Sequence, residues 1–139
     1  MPLKLPRCKR QRCKRIARIE DWCKSCAVKE ADRLFSLEAR QLGTCQGHMG
    51  FWTGPVFDCA GSLQCCHLIS RRYRNTRWNH LNRVILCGAH HRWLDTNPLE
   101  KDDMMRLWLG PDYQLLRNLA LSDIDWRDGL IAYLQLAGK

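Results

Sequence analysis

Nine cysteines in 139 residues, with one Cys-x2-Cys and two Cys-x2-His pairs among them, predict a small zinc-stabilised α+β fold. A strand–loop–strand–helix pattern between Leu63 and Asn97 predicts its core. Stretches dominated by helix formers on either side predict helices before and after that core. Three segments are expected: 1–43, a four-cysteine knuckle and a helix; 44–97, the core with a second zinc site; and 98–139, helices packed on the core.

A chain of this length makes a modest hydrophobic core, and small domains often need a metal as a staple. The N-terminus is basic and has no long apolar run, so neither a signal peptide nor a membrane span is expected, and the expected compartment is the cytoplasm. There, paired cysteines serve more often as metal ligands than as disulfides. The net charge is +9, unevenly spread: residues 1–97 hold 18 Lys and Arg against 7 Asp and Glu, and residues 98–139 hold 5 against 7. A basic body suits a polyanionic partner, with DNA as the expected one.

Cys8-x4-Cys13-x9-Cys23-x2-Cys26 is a four-thiolate set closed by a CxxC, whose turn aims both sulfurs at one tetrahedral ion. From Lys4 to Arg18 the chain carries Lys4, Arg7, Lys9, Arg10, Arg12, Lys14, Arg15 and Arg18 and no acid, a run that a metal would turn into a phosphate-contacting surface. Ala27 to Leu42 reads as a helix with Val28, Ala31, Leu34, Phe35 and Leu42 largely on one side, stopped by Gly43.

Thr44 to Gly61 is rich in glycine and reads as loop and hairpin, with Phe51, Trp52, Val56 and Phe57 making local core. Cys45-x2-His48 mirrors Cys87-x2-His90, and such pairs can close a second zinc site. Cys87 and His90 are the favoured ligands there, Cys45 is a third, and either His48 or Cys59 is the fourth, with Cys65 a weaker competitor.

Leu63 to Ser70 reads as a short buried strand with His67 near its exit. Arg71 to Arg83 carries five arginines and no acid and reads as a loop. Arg83 to Leu86 gives a second strand, Gly88 and Ala89 turn the chain, and a helix from His90 ends before Asn97-Pro98. Beyond it, helices are expected over Leu99–Leu109 and Tyr113–Leu121. A third is expected after a Ser122 cap, with Trp126, Leu130, Tyr133, Leu134 and Leu136 facing inward.

His67, Asn82 fifteen positions later and His91 nine positions after that, within LQCCHLISRRYRNTRW and a following LCxxHH, resemble the HNH (His-Me finger, ββα-metal) nucleases. The look is most like the phage-encoded HNH endonucleases, over about the middle third of the chain. The resemblance implies a ββα-metal core that hydrolyses DNA phosphodiester bonds with one divalent cation (Mg2+, Mn2+, Ni2+ or Zn2+), beside one or two structural zinc ions.

Under that resemblance His67 is the base, a role suited to a group that titrates near neutrality. Asn82 orients it, and His91 holds the cation. Asp95, one helical turn after His91, is a further carboxylate ligand. Many relatives carry an acid or histidine just before the base; this chain has Cys66. Either water and Asp95 fill the coordination sphere, the favoured alternative, or Cys66 binds and the metal is softer than usual. His90 and His91, about 100° apart on the helix, face different ions. Arg71, Arg72, Arg74 and Arg77 are the expected phosphate contacts. The competing expectation is a non-catalytic, zinc-dependent DNA-binding module.

Overall fold

The computed structural model describes residues 8–10, 13 and 22–137, and among these it holds one two-stranded sheet and five α-helices. Of the basic N-terminal run, Lys4, Arg7, Arg12, Lys14, Arg15 and Arg18 lie outside the described residues. Two compact units form: 1–34 with 125–139, and 35–124. Their bounds fall after Leu34 and after Ile124. No helix among the described residues is long and apolar enough to cross a membrane.

Helix α1 (Lys24–Arg40), of which residues 24–34 are counted in the smaller unit and residues 35–40 in the larger, starts inside the CxxC, three residues before the expected Ala27. The reason is local: Cys23 accepts at its sulfur from Cys26 N–H (3.4 Å) and at its carbonyl from Ala27 N–H (2.9 Å), so it acts as the cap. Ala27 and Ala31 are fully buried. At the other end Gly43 takes φ +77°, the left-handed conformation that glycine enters without strain. The helix stops at Arg40, and Leu42, expected on its apolar side, is exposed.

The larger unit is organised on strands β1 (Leu63–His67) and β2 (Arg83–Cys87), antiparallel, with Leu63 opposite Cys87 and His67 opposite Arg83. Side chains alternate across a strand. Cys66 accordingly points into the core with Val84, Leu86, Leu94 and Met104, while His67 stacks on Phe35 of α1 (centroids 5.3 Å apart). The outer edge of β2 has no third strand. Instead Ile85 N–H donates to Gln46 Oε1 (2.8 Å) and Cys87 N–H to Cys45 Sγ (3.2 Å), which satisfies two otherwise orphaned donors.

Gln46 lies in a 3-10 turn, Gln46–His48, where the sequence suggested a hairpin. Phe51 is buried, but Val56 is 95% exposed rather than core; Trp52 Nε1 donates to Pro55 O (3.1 Å), a local turn that leaves Val56 outside. Helix α2 (Gly88–Thr96) begins two residues earlier than expected because Cys87 caps it, so Gly88 and Ala89 are helical. Helices α3 (Pro98–Leu109) and α4 (Asp112–Ala120) follow, the first with proline at its opening position. They bury Met104, Met105, Leu109, Tyr113 and Leu116 against the hairpin's core.

Helix α5 (Trp126–Ala137) belongs to the smaller unit. Its cap is Asp125, whose Oδ1 accepts from Arg127 N–H (3.0 Å), and not the expected Ser122. Ser122 instead donates to Leu119 O (2.8 Å) and accepts from Asn75. Leu130 and Tyr133 are buried; Leu136 is exposed, because six residues from Leu130 is about 240° around the helix.

Candidate metal centres

Three groups of ligand-type side chains converge among the described residues: Cys8, Cys13, Cys23 and Cys26; Cys45, Cys59, Cys87 and His90; and Cys66, His91 and Asp95. Within each, the ligand atoms lie within 4.8 Å of one another. All nine cysteines are free thiols.

The first group sits where the chain enters α1. Its sulfurs stand 3.9 Å (Cys13–Cys23) and 3.8 Å (Cys13–Cys26) apart. A disulfide needs about 2.05 Å. Four sulfurs at about 2.3 Å from one tetrahedral ion stand about 3.8 Å apart, so the spacing is that of a shared cation. Burial pushes the Cys23 thiol up, but the Cys26 backbone N–H, the Ser25 hydroxyl and neighbouring thiols outweigh it and bring it to about 6. Cys26, buried beside three other thiols, is pushed up to about 11. A stable thiolate within a cluster that repels further charge is the electrostatic situation a divalent ion resolves.

The second group is assembled by the edge of β2 and the first turn of α2. Cys87 Sγ caps the helix by accepting from His90 N–H (3.5 Å) and lies 2.9 Å from His90 Nδ1. Cys45 is held by N–H groups of Gly47 and Cys87. The fourth position is Cys59, placed beside α2 by the Ala89 N–H to Ala60 O bond (3.0 Å). Cys59 Sγ lies 3.9 Å from His90 Nδ1. His48, the other candidate, stands outside the group, with Nε2 3.1 Å from Cys59 Sγ. Cys65, on the neighbouring strand, is not part of it.

Burial raises the Cys87 thiol, but the N–H and ring of His90, with further donors, lower it to about 6. Burial and the adjacent Cys45 and Cys87 push Cys59 up to about 12. His90 is wholly buried between aromatic rings, stacked on Phe57 at 4.2 Å with Trp52 edge-on at 4.9 Å. Its Nε2 has no hydrogen-bond partner and packs on Gly47, where an added Cβ would stand 2.3 Å from the ring. Four protein donors around one point, with Cys87 and His90 buried and Cys59 exposed at the rim, make this a structural type of site.

The third group differs, having three donors and a solvent-facing side: Cys66 is fully buried, while the Asp95 side chain is 52% exposed. His91 Nε2 lies 3.1 Å from Asp95 Oδ2, close to the spacing of about 3–3.4 Å for two ligands of one ion. Two residues that no sequence motif marks position this pair. Gln64 Oε1 accepts from His91 Nδ1 (2.7 Å), which leaves Nε2 as the ring nitrogen that faces Asp95. Lys101 Nζ holds the other Asp95 oxygen (3.2 Å). Burial pushes the Cys66 thiol up to about 12, opposed by Lys101 and reinforced by Asp95.

His67 is the next residue along β1 and belongs to none of these groups. Its Nε2 donates to Arg77 O (2.9 Å); a carbonyl can only accept, so the neutral ring carries its basic lone pair on Nδ1. Asn82 is fully buried and closes the loop around His67. Its Oδ1 accepts from Ile69 N–H (2.6 Å), and its Nδ2 donates to Ile69 O (3.1 Å) and Thr76 O (3.0 Å). Phe35 and Arg83 fix the far side: the Arg83 guanidinium lies 4.4 Å over the Phe35 ring and donates to Phe35 O.

In the loop, Arg71, Arg72 and Arg74 are exposed. Arg72 donates to Tyr73 Oη (2.9 Å). Arg77 is half-buried, 5.6 Å over Trp78, and donates to Arg71 O. Three arginines therefore face solvent, and the fourth also braces the loop. Comparison with protein-family models, with curated proteins and with solved structures finds no match to this chain.

Proposed function

We propose that this protein is a divalent-metal-dependent DNA endonuclease of the ββα-metal (HNH) type, with β1, β2 and α2 as its working core. The observation that carries the reading is a pair of consecutive residues with different surroundings. Cys66 joins His91 and Asp95 in a three-donor group with a solvent-facing side, and the next residue of β1, His67, has its Nε2 committed to the Arg77 carbonyl. A base and a group able to hold a cation, carried on consecutive residues of one strand, are the two parts that phosphodiester hydrolysis requires.

In this reading His67 Nδ1 takes a proton from water as the water oxygen bonds to phosphorus and the bond to the leaving oxygen breaks. Asn82 keeps the loop closed, so that the Arg77 carbonyl stays on Nε2 and the base stays on Nδ1. Cys66, His91 and Asp95 would hold the cation, which when bound stabilises charge on the phosphate and leaving oxygen. Arg71, Arg72 and Arg74 would contact flanking phosphates, which positions DNA without reading its sequence. The two four-donor groups would hold structural zinc.

A plasmid-nicking assay with added Mg2+, Mn2+, Ni2+ or Zn2+ tests the proposal. His67→Ala should lose about 100-fold or more of cleavage, the scale of a general base, while retaining DNA in a gel-shift assay. Wild-type cutting by that variant would remove His67 from the mechanism, and retention of DNA with no cutting by the parent under any metal would point to the binding module instead.

A further inference from the structure

We propose that the cation held by Cys66, His91 and Asp95 is a thiophilic divalent ion of the Zn2+ or Co2+ kind, with the Cys66 sulfur as a true ligand. This deepens the endonuclease reading by naming the metal class of that site, and rests on it only for what the ion is used for.

The donor set comes first. The three ligand atoms, one sulfur, one imidazole nitrogen and one carboxylate oxygen, lie within 4.8 Å of one another. Mg2+ requires near-ideal octahedral oxygen coordination and keeps several waters, so a sulfur in its inner shell is a poor partner. Zn2+ and Co2+ accept sulfur, nitrogen and oxygen together. A thiolate and a carboxylate supply two negative charges to a dication, with the histidine neutral.

Position comes second. Cys66 cannot swing away to leave a sulfur-free site: it is locked in the sheet opposite Val84, fully buried, with its side chain in the core. The Gln64 bond holds His91 toward the same point from the other side. An ion bound by His91 and Asp95 therefore meets the sulfur whether or not sulfur suits it. Three protein donors with an open side are also the arrangement of catalytic zinc sites, in contrast to the two four-donor groups of this chain.

The test uses the full-length protein with its two four-donor sites loaded with Zn2+. Adding Co2+ should give one further equivalent of binding accompanied by a near-ultraviolet sulfur-to-cobalt absorption, with zinc content unchanged by mass spectrometry. A large excess of Mg2+ should leave the band in place. Cys66→Ser should abolish the band and weaken binding of the added Co2+ by more than the about 10–100-fold that loss of an outer partner costs. His91→Ala, at a partly exposed helix position, should also lose it, and serves as the control should the buried substitution unfold the chain.

One equivalent of Co2+ bound without the band, displacement by Mg2+, or an unchanged band in either variant would overturn the inference. The two readings separate cleanly. A band without DNA cleavage keeps the thiophilic site and removes the nuclease, whereas Mg2+-supported cleavage that survives Cys66→Ser keeps the nuclease and removes the thiophilic site.

Discussion

Asn82 grips Ile69 by both backbone groups, accepting from its N–H at 2.6 Å and donating to its carbonyl at 3.1 Å, and a third bond reaches Thr76 O. One buried side chain thus ties the exit of β1 to the entrance of β2 across the arginine loop. Asn82→Ala leaves a buried N–H and two carbonyls without that partner, and each such group costs about 1–3 kcal/mol. The expected loss is about 3 kcal/mol in urea unfolding at fixed zinc. Asn82→Asp should be no milder, because it replaces two donors with a buried charge. A loss below about 1 kcal/mol would show that water or a rearranged loop replaces the clasp.

Cys59 and His48 offer a direct contrast. Cys59 lies in the Cys45, Cys87 and His90 group, and His48 lies just outside it. Native mass spectrometry should find one fewer tightly held zinc in Cys59→Ser and an unchanged count in His48→Ala. The reverse result would reassign the fourth ligand.

Acid should release the structural ions, and the direction follows from two thiols. Folded Cys23 and Cys87 titrate at about 6, below the ordinary thiol value of 9.0. A group lowered by folding stabilises the fold fully above its unfolded value, so their contribution is complete above pH 9.0. It shrinks between pH 9.0 and about 6 and is gone below that. Metal binding draws on the same thiolates. Zinc release followed with a chromophoric chelator should stay low at pH 7 and rise as pH falls through about 6. Half-release near pH 8 would contradict this assignment of the thiolates.

The arginine loop should reveal itself in salt. Replacing Arg71, Arg72 or Arg74 singly with alanine should weaken DNA binding about equally across sequences and reduce the slope of log affinity against log salt by about 1 each. Arg77→Ala should in addition lower thermal stability, since that guanidinium packs over Trp78 and donates to Arg71 O. An unchanged slope in all of the exposed-site variants would place the DNA interface elsewhere.

What could be read from the sequence was whatever short-range pattern determines. The strand–loop–strand–helix order between Leu63 and Thr96 rests on apolar runs and turn residues close together in the chain. The convergence of Cys8, Cys13, Cys23 and Cys26 follows from one CxxC and one spacer. Long-range partners left no such trace. Gln64 meets His91 across 27 positions and Phe35 stacks on His67 across 32, and both are ordinary residues until the fold brings them together. The choice of Cys59 over His48 depends on the Ala89–Ala60 backbone bond, which no spacing encodes. The α5 cap was misplaced because Ser122 and Asp125 are both good caps, and Ser122 is already engaged with Asn75 and Leu119. Val56 and Leu136 show the limit of composition: apolar side chains outside the buried arc stay in water.

The pairing of Cys66 with Val84 and of His67 with Arg83 has one further consequence. Because a strand presents its side chains by turns, a single-residue insertion or deletion ahead of Cys66 would send the imidazole into the hydrocarbon interior and the thiol out beside Phe35. Point changes in this hairpin can be absorbed one at a time; a frame error of one residue would exchange the two chemistries at a stroke.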